Sequence, residues 1–112
     1  MARTTFTGPV VSTNGFIAGS GATVTKILTA TATLNFPSIS AASQADLTIT
    51  VTGAATGDEV IMSLPAAPAA GIVFNAFVSA TNTVTIRASN ITALAVDPAS
   101  ASYGVSVINA AY

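Results

Sequence analysis

The sequence lacks three residue types, two of which supply much of enzyme chemistry. Its 112 residues include no histidine, no cysteine and no tryptophan. A chain without histidine and cysteine cannot build a Ser-His-Asp triad, a Cys-His nucleophile pair or a zinc site of thiolates and imidazoles. We therefore expect a protein that is not an enzyme and that holds no cofactor or metal ion.

Charged residues are scarce as well. Three basic and four acidic residues make up 6% of the chain and give a net charge of −1, whereas soluble domains carry about a quarter charged residues. So few scattered basic side chains cannot supply the row of phosphate contacts that nucleic-acid binding needs. A nucleic-acid partner is therefore not expected. The charged residues are Arg3, Lys26, Asp46, Asp58, Glu59, Arg87 and Asp97.

The four carboxylates do not form a pattern typical of acid-base or calcium chemistry. Asp58 and Glu59 are adjacent at the start of a predicted strand, where consecutive side chains point to opposite faces of a sheet. Asp97 belongs to no acidic repeat of the kind that calcium loops use. We interpret Gly57-Asp58 as a turn and Asp97-Pro98 as the start of another.

Two long uncharged stretches, residues 4–25 and 60–86, could suggest a membrane span. The second is interrupted by Pro65, Pro68 and Asn75, and the first is rich in threonine, glycine, asparagine and serine. Neither has the continuous apolar run of a spanning helix or the layout of a secretory signal peptide. No membrane partner is expected.

The hydrophobic pattern has a period of two. Residues 28–36 alternate apolar and polar, and residues 45–51 repeat the alternation in the other register, as expected for strands buried on one face. Turn residues separate these strands from further short ones at 60–64, 72–79, 83–89 and 103–108. The pattern predicts an all-β fold: an antiparallel β-sandwich or small barrel of six to seven short strands, formed by residues 22–112.

The first 21 residues differ from the rest, with four glycines among them. The segment is too apolar for a free linker and too broken for a long strand. We predict an extended N-terminal arm over residues 1–21. It could pack on a neighbouring subunit, or it could be the first edge strand and loop of the same sandwich. Its larger apolar residues are Phe6, Val10, Val11, Phe16 and Ile17.

Arg87 is the most conspicuous single charge, because it lies in the middle of a predicted strand on the threonine-rich face. A guanidinium in this position is expected to meet a carboxylate or backbone carbonyls. Asp46 on another strand is one candidate partner. An acidic group of a second subunit is the alternative.

The low charge itself favours a subunit of an assembly. A free monomer gains solubility from interspersed charges, whereas the cores of protein interfaces are depleted in Lys, Glu and Asp. We therefore predict that copies of the chain or another protein cover much of its surface. The predicted interface residues are Phe6, Val10, Val11, Phe16, Ile17 and Arg87.

Residues 5–17 are similar to the starts of small virion proteins of tailed phages. Residues 34–39, 46–54, 57–60, 83–87 and 97–98 look like a β-domain of phage structural proteins. Together these stretches resemble the capsid cement, or decoration, proteins of tailed phages, in particular those of cyanophages. The resemblance implies a homotrimer on the outer surface of the capsid in the virion, where it binds the major capsid protein, bridges capsomers and needs no small-molecule substrate.

Two other functions remain open from the residues. The same kind of β-domain resembles modules of tail fibres, so the chain could instead bind a receptor or glycan. That function requires Phe74, Phe77 or Tyr103 to lie exposed near a shallow groove. A small enzyme would have only Asp58, Glu59 and Asp97 for acid-base work.

Overall fold

A computed structural model describes residues 3–110 of the chain, so the outermost residues of the predicted arm and of the predicted sandwich domain lie outside the described part. Residues 3–110 contain seven β-strands and no helix. The strands are β1 (Phe16–Ile17), β2 (Thr23–Leu34), β3 (Gln44–Thr50), β4 (Glu59–Ser63), β5 (Ile72–Ala80), β6 (Thr83–Asn90) and β7 (Ala101–Ala110).

The strands form two antiparallel sheets, which confirms the predicted all-β fold. One sheet has four strands in the order β1-β2-β7-β4, and the other has three in the order β3-β6-β5. Strands β5 and β6 form a hairpin. In each sheet the alternating apolar side chains lie on one face, and this face packs against the other sheet, as in a small sandwich.

The core lies between the two sheets. Cross-strand pairs such as Ala30 with Val105 and Leu47 with Ile86 point into it from opposite sheets. Because one face of each strand from β2 to β7 contributes, a chain with few large side chains still fills a continuous interior. The largest fully buried side chains are Tyr103, Phe36, Ile86, Val84 and Val107.

Two strands are longer than the short strands that the sequence predicts. β2 has 12 residues and β7 has 10, and the two pair from Leu34 with Ala101 to Val24 with Ala110. The last pair that reaches the core is Leu28 with Val107. Backbone pairing continues beyond the core because it needs no buried side chain, and the molecule extends 57 Å along its longest axis.

The two-residue turn between β5 and β6 is tied to the turn that follows β3. Asn82 has a left-handed backbone conformation with φ 62°, which asparagine tolerates better than most residues. Its Oδ1 accepts a hydrogen bond from the Gly53 amide at 2.8 Å, its N–H donates to the Ala54 carbonyl, and its carbonyl accepts from the Val51 amide. One turn therefore fixes the position of the other.

Candidate interaction surfaces

The apolar side chains predicted for the N-terminal arm are all solvent-exposed. Throughout, residues 3–15 are called the N-terminal segment, and β1 follows it. Val11 is 87% exposed, and each of the other four is more than half exposed. Folded monomers rarely leave so many large apolar groups close together in water. The four others are Phe6, Val10, Phe16 and Ile17.

The chain reverses direction before and after β1. Phe16 pairs with Val24 and Ile17 with Thr23, and a turn closes this hairpin with a hydrogen bond from the Gly21 amide to the Ala18 carbonyl at 3.1 Å. Residues 16–17 are therefore an edge strand of the four-stranded sheet, the alternative that the sequence left open. The extended form of the arm is not confirmed and stays a prediction.

Gly15 determines where the N-terminal segment leaves the sheet. Its φ is 83°, and a Cβ at this position would overlap the carbonyl oxygen of Val24. Ser12 Oγ donates to the Gly15 carbonyl across a turn at residues 13–14. Only glycine combines this φ with so close an approach. The segment therefore does not continue as a strand beside β2, although Val10 and Ser12 line a shallow groove with Thr25, Lys26 and Ile27.

The outer edge of β2 has little strand pairing. Among the described residues, β1 covers it only at Thr23 and Val24, and no other strand pairs with this side of β2. Residues 25–34 thus present backbone N–H and C=O groups without a partner strand. Such an edge is a template for an added strand.

The outer face of the four-stranded sheet is smooth and nearly uncharged. Gly104 on β7 lies between Thr31 on β2 and Ser63 on β4, and the missing side chain leaves a shallow groove there. Ile61 borders the groove and is largely exposed. Glu59 is the one charged residue on this face of strands β2, β7 and β4. The groove offers apolar and hydroxyl contacts but no ion pair.

Arg87 pairs with Asp46 of the same chain. The guanidinium donates two hydrogen bonds to the carboxylate, each 2.9 Å long, across the β3–β6 pair. Arg87 also lies over the Phe77 ring, 5.1 Å from its centroid. The structure thus places Arg87 in the intrachain pair that the sequence allowed. An ion pair between subunits stays a prediction.

This pair predicts a small acid-dependent loss of stability. The hydrogen bonds and positive charge of Arg87 lower the pKa of Asp46 below its usual value, although partial desolvation opposes this. The pair therefore stabilises the fold above the unfolded-state pKa of Asp46, and this contribution disappears as the pH falls through the lowered value. This contribution is small because the side chains of Arg87 and Asp46 are 35% and 38% exposed, so water screens their charges.

A double-mutant cycle of Asp46→Asn and Arg87→Gln in urea unfolding measures the coupling between the two side chains. We expect favourable coupling at pH 7 that vanishes in strong acid. Coupling that is unchanged at low pH would contradict the assigned ionic character of the pair.

The carboxylates do not converge on a common point. Asp58 accepts hydrogen bonds from the Ala55 amide at 3.0 Å and from Asn109 Nδ2 at 2.7 Å, so it organises the turn before β4, as interpreted from the sequence. Glu59 pairs with Ile108 on the outer face. Within residues 3–110 no three acidic side chains come close enough to hold a metal ion.

Two of the three aromatic residues proposed for glycan stacking belong to the core instead. Tyr103 is 2% exposed, and burial raises the pKa of its hydroxyl. Phe74 packs against it with ring centroids 5.6 Å apart, and Phe36 contacts both rings. Tyr103 does not meet the requirement of the glycan-binding alternative, because its inward register on β7 places it between the sheets. Phe77 lies under Arg87.

The loop after β6 holds exposed apolar residues that the sequence reasoning missed. Ile91 and Leu94 are 72% and 77% exposed. Asn90 fixes the loop: its Nδ2 donates to the carbonyls of Ile39 and Leu94, and its Oδ1 accepts from the amide and hydroxyl of Thr92. In the sequence, the triplet Asn90-Ile91-Thr92 was the available signal for this loop, but the same pattern matches a glycosylation acceptor.

No helix within residues 3–110 is long and apolar enough to cross a membrane. Comparisons of the chain with protein-family models, with curated proteins and with solved structures give no match.

Proposed function

We propose that the protein is a structural component of a tailed-phage virion, a cement or decoration protein that binds the major capsid protein on the outer surface of the head. In this proposal it acts as a homotrimer and bridges neighbouring capsomers. It requires no cofactor, nucleic acid, membrane or small-molecule substrate. The function is to add contacts between shell subunits, not to catalyse a reaction.

The observation that supports the proposal best is the exposure of the N-terminal apolar side chains. Phe6, Val10 and Val11 lie in water although the chain has almost no charge to keep such a surface dispersed. Fully burying a large apolar side chain contributes about 1.5–3 kcal/mol. Contacts of this strength, repeated by symmetry over a shell, give tight attachment from small patches.

The smooth outer face of the four-stranded sheet is consistent with such a role. Its hydroxyl and methyl groups around Gly104 suit close packing against another protein surface. The glycan-binding alternative loses its main support, because Tyr103 and Phe74 pack in the interior. The few carboxylates that an enzyme could use do not face one another.

Capsids of the phage that encodes the chain, prepared without it, provide a direct test. We expect the wild-type protein to co-sediment with these capsids. The variant Phe6→Ser/Val10→Ser/Val11→Ser is expected to bind at least about a hundredfold more weakly, since each tenfold loss corresponds to about 1.4 kcal/mol. Circular dichroism should show that the variant keeps its β-structure, because these side chains lie outside the core.

Ile91→Ser/Leu94→Ser is the matched control, because it removes equally exposed apolar groups from a different loop. It should bind capsids like the wild type. Failure of the wild-type protein to bind any capsid preparation would overturn the proposed function. Equal binding by the segment variant and the wild type would show that the N-terminal segment is not the attachment site.

A further inference from the structure

The edges of the two sheets differ in how well they are protected against strand addition. Natural sheets protect their edges with short strands, charges, prolines or bulges. β3 has Asp46 near its middle, β4 has five residues and begins with Glu59, and β5 has a bulge between Val78 and Ala80. Each of these edges therefore has at least one protective feature.

The outer edge of β2 has none of these features over most of its length. Its only charge is Lys26 and its only bulge lies between Val24 and Lys26. From Leu28 to Leu34 the strand has neither charge, proline nor bulge. Within the described part of the chain, this stretch of the edge also lacks a partner strand. Residues 72–78 of β5 likewise have no charge, proline or bulge, so β2 and β5 present the two least protected edges of the fold.

The N-terminal segment has a composition that favours a β-strand, although no strand is assigned within residues 3–15. Residues 4–13 include four threonines, Phe6, Val10 and Val11 and contain no charge, and these residue types favour β-structure. Nine of these residues, 4–12, precede the turn at residues 13–14, close to the ten positions 25–34 of β2 in number, and Gly8-Pro9 divides them into two shorter stretches. Pro9 is compatible with a strand added at an edge, where one side of the backbone faces water.

Within its own chain the segment approaches only the start of this edge, where Val10 and Ser12 line a shallow groove with Thr25, Lys26 and Ile27. The turn at residues 13–14 and the left-handed Gly15 keep it from pairing there as a strand. Residues 28–34 of the edge remain for the segment of a second copy. Exchange of segments between copies lets every copy donate and accept one strand, so a closed ring leaves no β2 edge unpaired.

We propose that the β2 edge of one copy binds the N-terminal segment of a second copy as an added β-strand. The main-chain hydrogen bonds hold the segment, and the alternating side chains of β2 determine its register. This inference rests on the proposed function only in that both require an assembly of copies. The same segment makes the proposed capsid contact. Because alternate side chains of a strand point to opposite faces, Phe6 and Val10 would face the capsid together while the main chain pairs with β2.

The absence of cysteine allows a direct test, since an engineered pair of thiols reports a single contact. Single-cysteine donors, Thr7→Cys and Val11→Cys, are each mixed under oxidising conditions with single-cysteine acceptors, Thr29→Cys, Thr31→Cys or Thr33→Cys. Donor and acceptor bear tags of different size, so a mixed disulfide can form only between copies. A disulfide needs Cα atoms within about 7 Å, which paired strands satisfy.

Thr48→Cys on β3 is the matched control acceptor, because it is also an exposed threonine on an edge strand. We expect at least one β2 acceptor to form the mixed disulfide at least tenfold faster than Thr48→Cys, with thiol labelling showing that all sites are reactive. Equal rates at β2 and β3, or no mixed disulfide with any β2 acceptor, would overturn the inference.

The two proposals fail in different ways. If the protein binds capsids but forms no β2 cross-link, strand exchange is contradicted and the proposed virion function stands. If it forms the cross-link but binds no capsids, the proposed function is contradicted and strand exchange stands.

Discussion

Replacing Phe36 with alanine is expected to lower the free energy of unfolding by about 4 kcal/mol, within the range for large-to-small changes of buried aromatics. Phe36 is 1% exposed. Its ring lies edge-on to Tyr103 at 5.8 Å and to Phe74 at 6.0 Å. Alanine would leave a cavity between rings that belong to both sheets.

Phe36→Leu serves as the comparison, since it keeps most of the apolar volume and is expected to cost about 1–2 kcal/mol. Urea unfolding followed by circular dichroism measures both variants. A loss below about 1.5 kcal/mol for Phe36→Ala would mean that the site collapses easily, and the aromatic cluster would then not be the centre of the core.

Replacing Asn90 with alanine is expected to destabilise the fold by about 3 kcal/mol, because buried groups that lose a hydrogen-bond partner cost about 1–3 kcal/mol each. Asn90 is 2% exposed. Its side chain donates to the Ile39 carbonyl at 2.9 Å and to the Leu94 carbonyl at 2.8 Å. It thereby joins the end of β6 to the segment that follows β2.

Thr92→Val separates the role of the amide from that of the neighbouring hydroxyl. It removes the bonds from Thr92 Oγ1 to Asn90 and Leu94 but keeps the shape of the side chain. We expect it to cost about 1 kcal/mol in the same urea assay. If both variants unfold at the same urea concentration, the Asn90 amide does not organise the loop.

The strands of the sandwich were largely predictable because burial of one sheet face imposes alternation on the sequence. Residues 28–34 and 45–50 show it clearly, and both lie in strands with the predicted faces inward. The first five residues of β2 were missed. They lie beyond the last core pair, and the bulge between Val24 and Lys26 breaks the period.

The interaction surfaces were only partly predictable. The pairing of Asp46 with Arg87 followed from two charges on polar strand faces, since few other charges were present to compete. The exposed edge of β2 could not be predicted, because it depends on strand order, and β2 pairs with β7 from the far end of the chain. The inward position of Tyr103, by contrast, follows from its alternation with Gly104 and Ser106, which puts it on the same face as Val105 and Val107.

The long β2–β7 ladder also affects the order in which the chain can fold. β3, β5 and β6 all precede β7 in the sequence and can form their sheet before it is made, whereas β2 waits for its main partner until residues 101–110 have been synthesised. Until then β2 pairs only with the two residues of β1. Contacts between residues so distant in sequence form slowly, so newly made chains are most prone to aggregate during this interval.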